Sequence, residues 1–167
     1  SKLSVLQPGD FHGHPMRVDD ADLPGAGMAH PGPVDDGALF PIAARRIPSL
    51  RLPAVWFPYD VMGRSPSGLA WDMSDGAFGP FAGQVFVGDQ YQASVLRVAL
   101  EQVDGVWQGA CFPFRQGLGS GVIRVAFDVD GSLLVGQSDR GWSSLGARPY
   151  GLQRIRWTGA VPFEMLD

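Results

Sequence analysis

The sequence predicts an all-β protein of short antiparallel strands, and three observations carry the prediction. From Arg51 onward, short apolar or alternating runs recur between Gly, Pro and Asp-Gly punctuation. No segment sustains a helical apolar period long enough to compete with them. The 167 residues include 23 Gly and 14 Pro, a composition that supplies turns and breaks long helices. Hydrophobic residues make up 45% of the chain and aromatics 11%, so a packed core is within reach and wholesale disorder is excluded.

Taken in order, residues 1–50 stand apart. They hold seven prolines and an acidic cluster (Asp10, Asp19, Asp20, Asp22, Asp35, Asp36), and 19–37 read as an extended loop. A short helix over Ala38–Arg46 is bounded by Pro41 and Pro48. The expected strands then follow: Leu52–Tyr59, Ser67–Asp72, Gln84–Asp89, Val95–Leu100, Trp107–Phe114, Gly121–Asp128, Ser132–Gln137, Leu152–Trp157 and Val161–Leu166. Asp104-Gly105 and Asp130-Gly131 are hairpin-turn dipeptides.

The strands repeat. Ser67-Gly68-Leu69-Ala70-Trp71-Asp72 resembles the run from Ser120-Gly121 to Ala126-Phe127-Asp128. In the same order Phe86-Val87-Gly88-Asp89 matches Leu134-Val135-Gly136-Gln137, and Leu96-Arg97-Val98 matches Gln153-Arg154-Ile155. Phe112-Pro113-Phe114 resembles both Phe57-Pro58-Tyr59 and Val161-Pro162-Phe163. Four short strands per unit of roughly 50 residues is the pattern of a β-propeller blade. The expected organisation is a partial blade with a long Pro/Gly/Asp-rich loop over 1–63, then blades over 64–116 and 117–167. Two to three blades cannot close a ring, so the sequence reads as a piece of a larger propeller. Gly88 and Gly136 are expected where an inner strand crowds the axis.

The motifs resemble a family. Pro53-Ala54-Val55-Trp56-Phe57-Pro58-Tyr59, the run from Phe78-Gly79-Pro80-Phe81 to Gly88-Asp89-Gln90, Gly136-Gln137-Ser138-Asp139-Arg140-Gly141-Trp142 and the run from Pro149-Tyr150-Gly151 to Trp157-Thr158-Gly159 look like the sorbosone/glucose dehydrogenase-like (quinoprotein-type) propellers of large secreted planctomycete-type bacterial proteins. The resemblance covers about residues 8–166. It implies a six-bladed ring, a pyrroloquinoline quinone cofactor with Ca²⁺, a periplasmic or secreted location, and a His that serves as general base while hydride passes to the quinone. No CxxCH haem site is present in the chain.

Candidate chemistry follows. His12 and His14, in Asp10-Phe11-His12-Gly13-His14, are the candidate catalytic bases, with Asp10 to orient a ring; the competing reading is packing or surface. Gln137, Asp139, Arg140 and Trp142 follow a strand and are expected to bind cofactor, Arg140 by bidentate donation and Trp142 by stacking. The competing reading is a loop network with Trp142 wedged between blades. Asp89 and Gln90 hold the repeat-equivalent place and, with Arg124, are expected to face substrate; Arg124 faces either a central channel or solvent. Arg97 and Arg154 read as edge-strand charges that discourage sheet pairing. Asp128-Val129-Asp130-Gly131-Ser132 resembles the start of a Ca²⁺ loop but lacks the distal ligands, and a plain hairpin turn is favoured. No metal site is expected from the residues themselves.

Composition excludes other classes. The net charge of −4 sits in residues 1–37, and the rest balances at 11 acidic and 11 basic side chains, so no basic stripe suits nucleic acid. No apolar run reaches membrane-span length. Cys111, in an apolar run, reads as a small hydrophobe rather than a nucleophile. The expected function is oxidation of a sugar hydroxyl or aldehyde by hydride transfer to a quinone, the partners being a sugar or small polyol and the remaining blades. The alternatives are a non-catalytic propeller that binds carbohydrate or protein, and a Ca²⁺-dependent lactonase-like hydrolase.

Overall fold

The computed structural model describes residues 1–13 and 37–159. Among the described residues the fold is all-β with one short helix. It divides into two compact units, Leu3–Ala54 and a larger unit of Ser1–Lys2 with the chain from Val55 onward.

In the smaller unit, helix α1 (Phe40–Arg46) starts two residues later than expected because Leu39 remains extended and Pro41 enters the first turn. Phe11 pairs with the segment 49–51: its N–H donates to Ser49 O and its carbonyl accepts from Arg51 N, both at 2.9 Å. The Asp10 carboxylate meets Arg51 Nε at 2.9 Å.

A short ribbon pairs β1 (Lys2–Leu3), of which Lys2 belongs to the larger unit, with β2 (Val55–Trp56). The strand expected over Leu52–Tyr59 shrinks to two residues. Pro53 and Pro58 cannot donate to a ladder, and the chain turns at once, with Met62 N donating to Pro58 O at 2.8 Å. The first blade is β3 (Pro66–Trp71), β4 (Val85–Asp89), β5 (Ser94–Val103) and β6 (Val106–Arg115), hydrogen-bonded in that order and antiparallel throughout. The second comprises β7 (Val122–Phe127), β8 (Leu133–Ser138) and β9 (Tyr150–Ile155). Its expected fourth strand, Val161–Leu166, lies outside the described residues.

Turn chemistry sets the register. Asp104 and Gly105 adopt φ of 50° and 81°, the double left-handed conformation of a two-residue type I′ turn, and close Val103 onto Val106. The other dipeptide works differently. Gly131 N bonds back to Asp128 O, and Gly131 at φ 77° ends a longer turn.

The repeat is real at the level of hydrogen bonds. Ala70 faces Phe86 as Ala126 faces Leu134, and Phe86 faces Arg97 as Leu134 faces Arg154. Both first strands carry a register shift near their start, between Pro66 and Leu69 and between Val122 and Arg124. This corrects the sequence alignment: Ser67-Gly68 corresponds to Ile123-Arg124, not to Ser120-Gly121.

The core lies between the blades. Phe86 and Val95 of the first pack with Val122, Val125, Leu133 and Val135 of the second, around Phe78 and Leu118. Phe78 meets the Phe86 and Phe127 rings edge-on at 5.3 and 5.2 Å, and Phe86 meets Phe114 at 4.8 Å. Such pairs each add about 0.5–1.5 kcal/mol beyond burial. Gly88 sits at this seam. A Cβ there would lie 2.4 Å from Val122 Cγ1, so the neighbouring blade, rather than an axis, demands the glycine. At Gly136 the same atom would have nothing nearer than Arg124 Cβ at 3.7 Å.

Candidate functional site

In each sheet the end of the second strand lies beside the start of the first, Pro66 opposite Asp89 and Val122 opposite Gln137. The connection 57–65, the turn 90–93, the linker 116–121 and the loop 139–149 therefore gather at one end of the blades. Six of the sequence-selected residues are here: Asp89, Gln90, Gln137, Asp139, Arg140 and Trp142.

Asp89 and Gln137 are structural. Asp89 is fully buried; its Oδ2 accepts from Arg64 N and Ser65 N at 2.7 and 2.8 Å, and its Oδ1 from Gln92 N at 2.8 Å. Gln137, also buried, accepts Ser120 N at 2.9 Å and donates to Gln153 Oε1, which itself accepts Gly119 N at 2.8 Å. At equivalent places each side chain fastens the segment that leads into its own blade. Buried and engaged in this way, both side chains serve the backbone rather than an open surface.

Gln90 and Trp142 bridge the blades. Gln90 Nε2 donates to the Trp142 carbonyl at 2.6 Å, and Leu145 N donates to Tyr91 O at 2.8 Å. The loop itself is shaped by Trp142 N donating to Asp139 O and by Arg140 N donating to Ser138 Oγ. Trp142 is not wedged between blades: 67% of it is exposed. Arg140 is exposed beside it, and Asp139 is half-buried. Arg124, on β7, is exposed, with its NH1 on Ile123 O.

Sequence reasoning misses Arg64 and Asp60 at this end. The Arg64 guanidinium lies 3.8 Å from the Tyr91 ring centre and pairs with Asp60 at 3.3 Å. Gln92 Nε2 donates to Asp60 O at 2.8 Å. The one signal in the sequence is the Pro58–Gly63 turn, whose start falls within the strand expected over Leu52–Tyr59.

The remaining expectations lie elsewhere. His12 belongs to the smaller unit and is half-buried, and His14 lies outside the described residues. Asp10, expected to orient a histidine, carries the Arg51 ion pair. Arg97 is on an inner strand rather than an edge: it packs over Phe112 at 4.4 Å and donates to Gln84. Arg154 is on β9, the outermost strand of its sheet among the described residues, but binds Asp128 and Asp130 at 2.7 and 3.2 Å. The turn that resembles a Ca²⁺ loop is thus closed by arginine and by its own amides. Hydrogen bonding from Val129 N, then Arg154, holds the Asp128 carboxyl below the usual range, and the Ser132 hydroxyl and amide do the same for Asp130. Cys111 is half-buried with Sγ toward Trp56 O, and desolvation pushes its thiol up, as suits a packed and unreactive group.

A tricarboxylate quinone with Ca²⁺ needs a cradle of donors and several oxygen ligands. Of the four residues expected to hold it, Gln137 is occupied by the fold, and Arg140 and Trp142 stand on an exposed loop. No group of three or more His, Cys, Asp or Glu gathers among the described residues. The set does not fit the cofactor. Among the described residues no helix is long and apolar enough to cross a membrane.

No protein-family model and no curated protein matches the chain. Among solved structures it is similar to a provisionally named oxidoreductase (glucose dehydrogenase) from Thermus thermophilus, at 23% identity and a TM-score of 0.47. The match covers 65% of this chain and 30% of that one.

Proposed function

We propose that the chain supplies two neighbouring blades of a sorbosone/glucose dehydrogenase-like propeller, and that their loop end receives a sugar or small polyol. The observation behind this reading is the tie across the blades from Gln90 to the Trp142 carbonyl, which holds an exposed indole at a shared surface. An indole offers a flat apolar face to the C–H side of a sugar ring. Arg140 beside it carries a fork of donors for hydroxyl oxygens. For the ring as a whole the reading is oxidation of a sugar hydroxyl or aldehyde by hydride transfer to pyrroloquinoline quinone, in the periplasm or outside the cell. That part leans on the sequence resemblance. The cofactor contacts belong to further blades, which dock on the open face of the second blade.

Calorimetric titration with monosaccharides tests the binding. Trp142→Ala is expected to weaken it about tenfold, equivalent to ~1.4 kcal/mol. Equal affinity in the variant would sink the reading. Dye reduction by the complete ring, further blades included, in the presence of quinone and Ca²⁺ decides the oxidative part separately. Binding without reduction would leave a carbohydrate-binding propeller.

A further inference from the structure

The structure assigns a second small-ligand site to the cleft between the 57–65 connection and the 116–118 linker; we infer that it takes a neutral polyhydroxylated molecule the size of a monosaccharide. Only the choice of ligand class rests on the sugar-directed reading above; the cleft itself does not involve Trp142 or Arg140.

The cleft, open to solvent on one side, has a volume of about 360 Å³, at the lower end of the range of small-molecule sites. Val61, Ala93, Leu118 and Leu145 give it apolar walls, and Asp60, Gln92, Ser94 and Gln116 supply the polar groups. The lining decides the chemistry by elimination. It contains no Lys, Arg or His, and the adjoining Arg64 guanidinium is already paired with Asp60, so the lining offers an anion no counter-charge of its own. It contains one carboxylate, already paired with Arg64, too little for a divalent cation. Carboxamides and a carboxylate against apolar walls suit hydroxyl groups on a compact carbon ring, which need both donors and acceptors.

Two further observations point the same way. Ser94 lines the cleft while 1% exposed, and its buried hydroxyl has no hydrogen-bond partner among the described residues, a deficit that a ligand hydroxyl relieves once the side chain turns toward the cleft. Asp60 and Ala93, both lining the cleft, hold φ of 60° and 49°. Left-handed backbone at residues other than glycine costs energy and gathers at ligand clamps.

The test is nuclear magnetic resonance of the full chain titrated with D-glucose. The side-chain amides of Gln92 and Gln116 and the backbone amides of Gly117 and Leu118 are expected to shift together. Val61 is 70% exposed, so Val61→Trp fills the mouth without touching the core and is expected to raise the apparent Kd about tenfold or more. Gln116→Ala, also at an exposed position, is expected to weaken the response severalfold. Trp142→Ala is expected to leave it unchanged. Inorganic phosphate and CaCl₂ should not move these resonances; an equal response to either would overturn the ligand class. Shifts that survive Val61→Trp, or none up to the solubility of glucose, would overturn the site. In the latter case, glucose binding lost only in Trp142→Ala would leave the proposed function standing without this cleft.

Discussion

The two blades share one strand register, yet β4 is buried at every position from Val85 to Asp89 while β8 is buried only at alternate ones. The covered face of the first blade, through Phe86 and Gly88, packs on the second. The equivalent face of the second, through Leu134 and Gly136, is open among the described residues, and Tyr150 and Leu152 on it are each 74% exposed. One repeat unit is thus seen in two states of coverage. The difference teaches which features belong to a blade and which belong to its neighbour. The fastening side chain at the end of the second strand is needed in both blades; the glycine beside it is needed only where a neighbour presses.

The largest expected effect tests the shared feature. Asp89→Ala strips the acceptor from three N–H groups at once and is expected to cost about 3 kcal/mol. Gln137→Ala removes an acceptor for one amide and the clamp on Gln153, for roughly half as much. Urea midpoints measure both. If Asp89→Ala proves the milder of the two, the fastening role assigned to these side chains fails.

The seam comes next, because it separates the blades most cleanly. Gly88→Ala puts a methyl 2.4 Å from Val122 Cγ1, and the overpacking is expected to cost about 2 kcal/mol. Gly136→Ala meets nothing within 3.7 Å and is expected to be neutral, or to gain up to about 0.5 kcal/mol from a less flexible unfolded chain. Equal destabilisation at the two sites would mean that the open face is filled.

These pairs show what the sequence could and could not reveal. Strand positions, the two turn dipeptides and the repeat were legible because each depends on neighbours a few residues away. The Gly88-Asp89 and Gly136-Gln137 matches were legible as well, but their meaning was not. Asp89 finds its donors 24 and 25 residues back in the chain, through a register shift that apolar alternation does not encode. A polar residue at a strand end therefore looked the same whether it faced a ligand or a backbone. Trp142 stands at a surface, where the loop 139–149 is tied from outside by Gln90. Asp60 and Arg64 were invisible because the two prolines that cut β2 short also moved that segment to the loop end.

The smallest expected effect concerns the arginines at equivalent positions, Arg97 and Arg154. With the Asp128 and Asp130 carboxyls held below their usual range, the folded state binds fewer protons than the unfolded chain in mild acid. The stability they contribute is present above the unfolded carboxylate range and is lost as pH falls through their lower folded values. Between about pH 6 and pH 3 the urea midpoint is therefore expected to fall less in Arg154→Ala than in the unaltered chain. It should still fall, because the first cause for each carboxyl is a hydrogen bond from Val129 or Ser132, which the substitution leaves in place. Arg97→Ala is expected to lower stability at every pH without changing that fall, since its guanidinium packs on the Phe112 and Phe81 rings and on Gln84. If both variants shift the acid limb alike, Arg97 too is serving a carboxylate, and the two blades differ less in charge than in coverage.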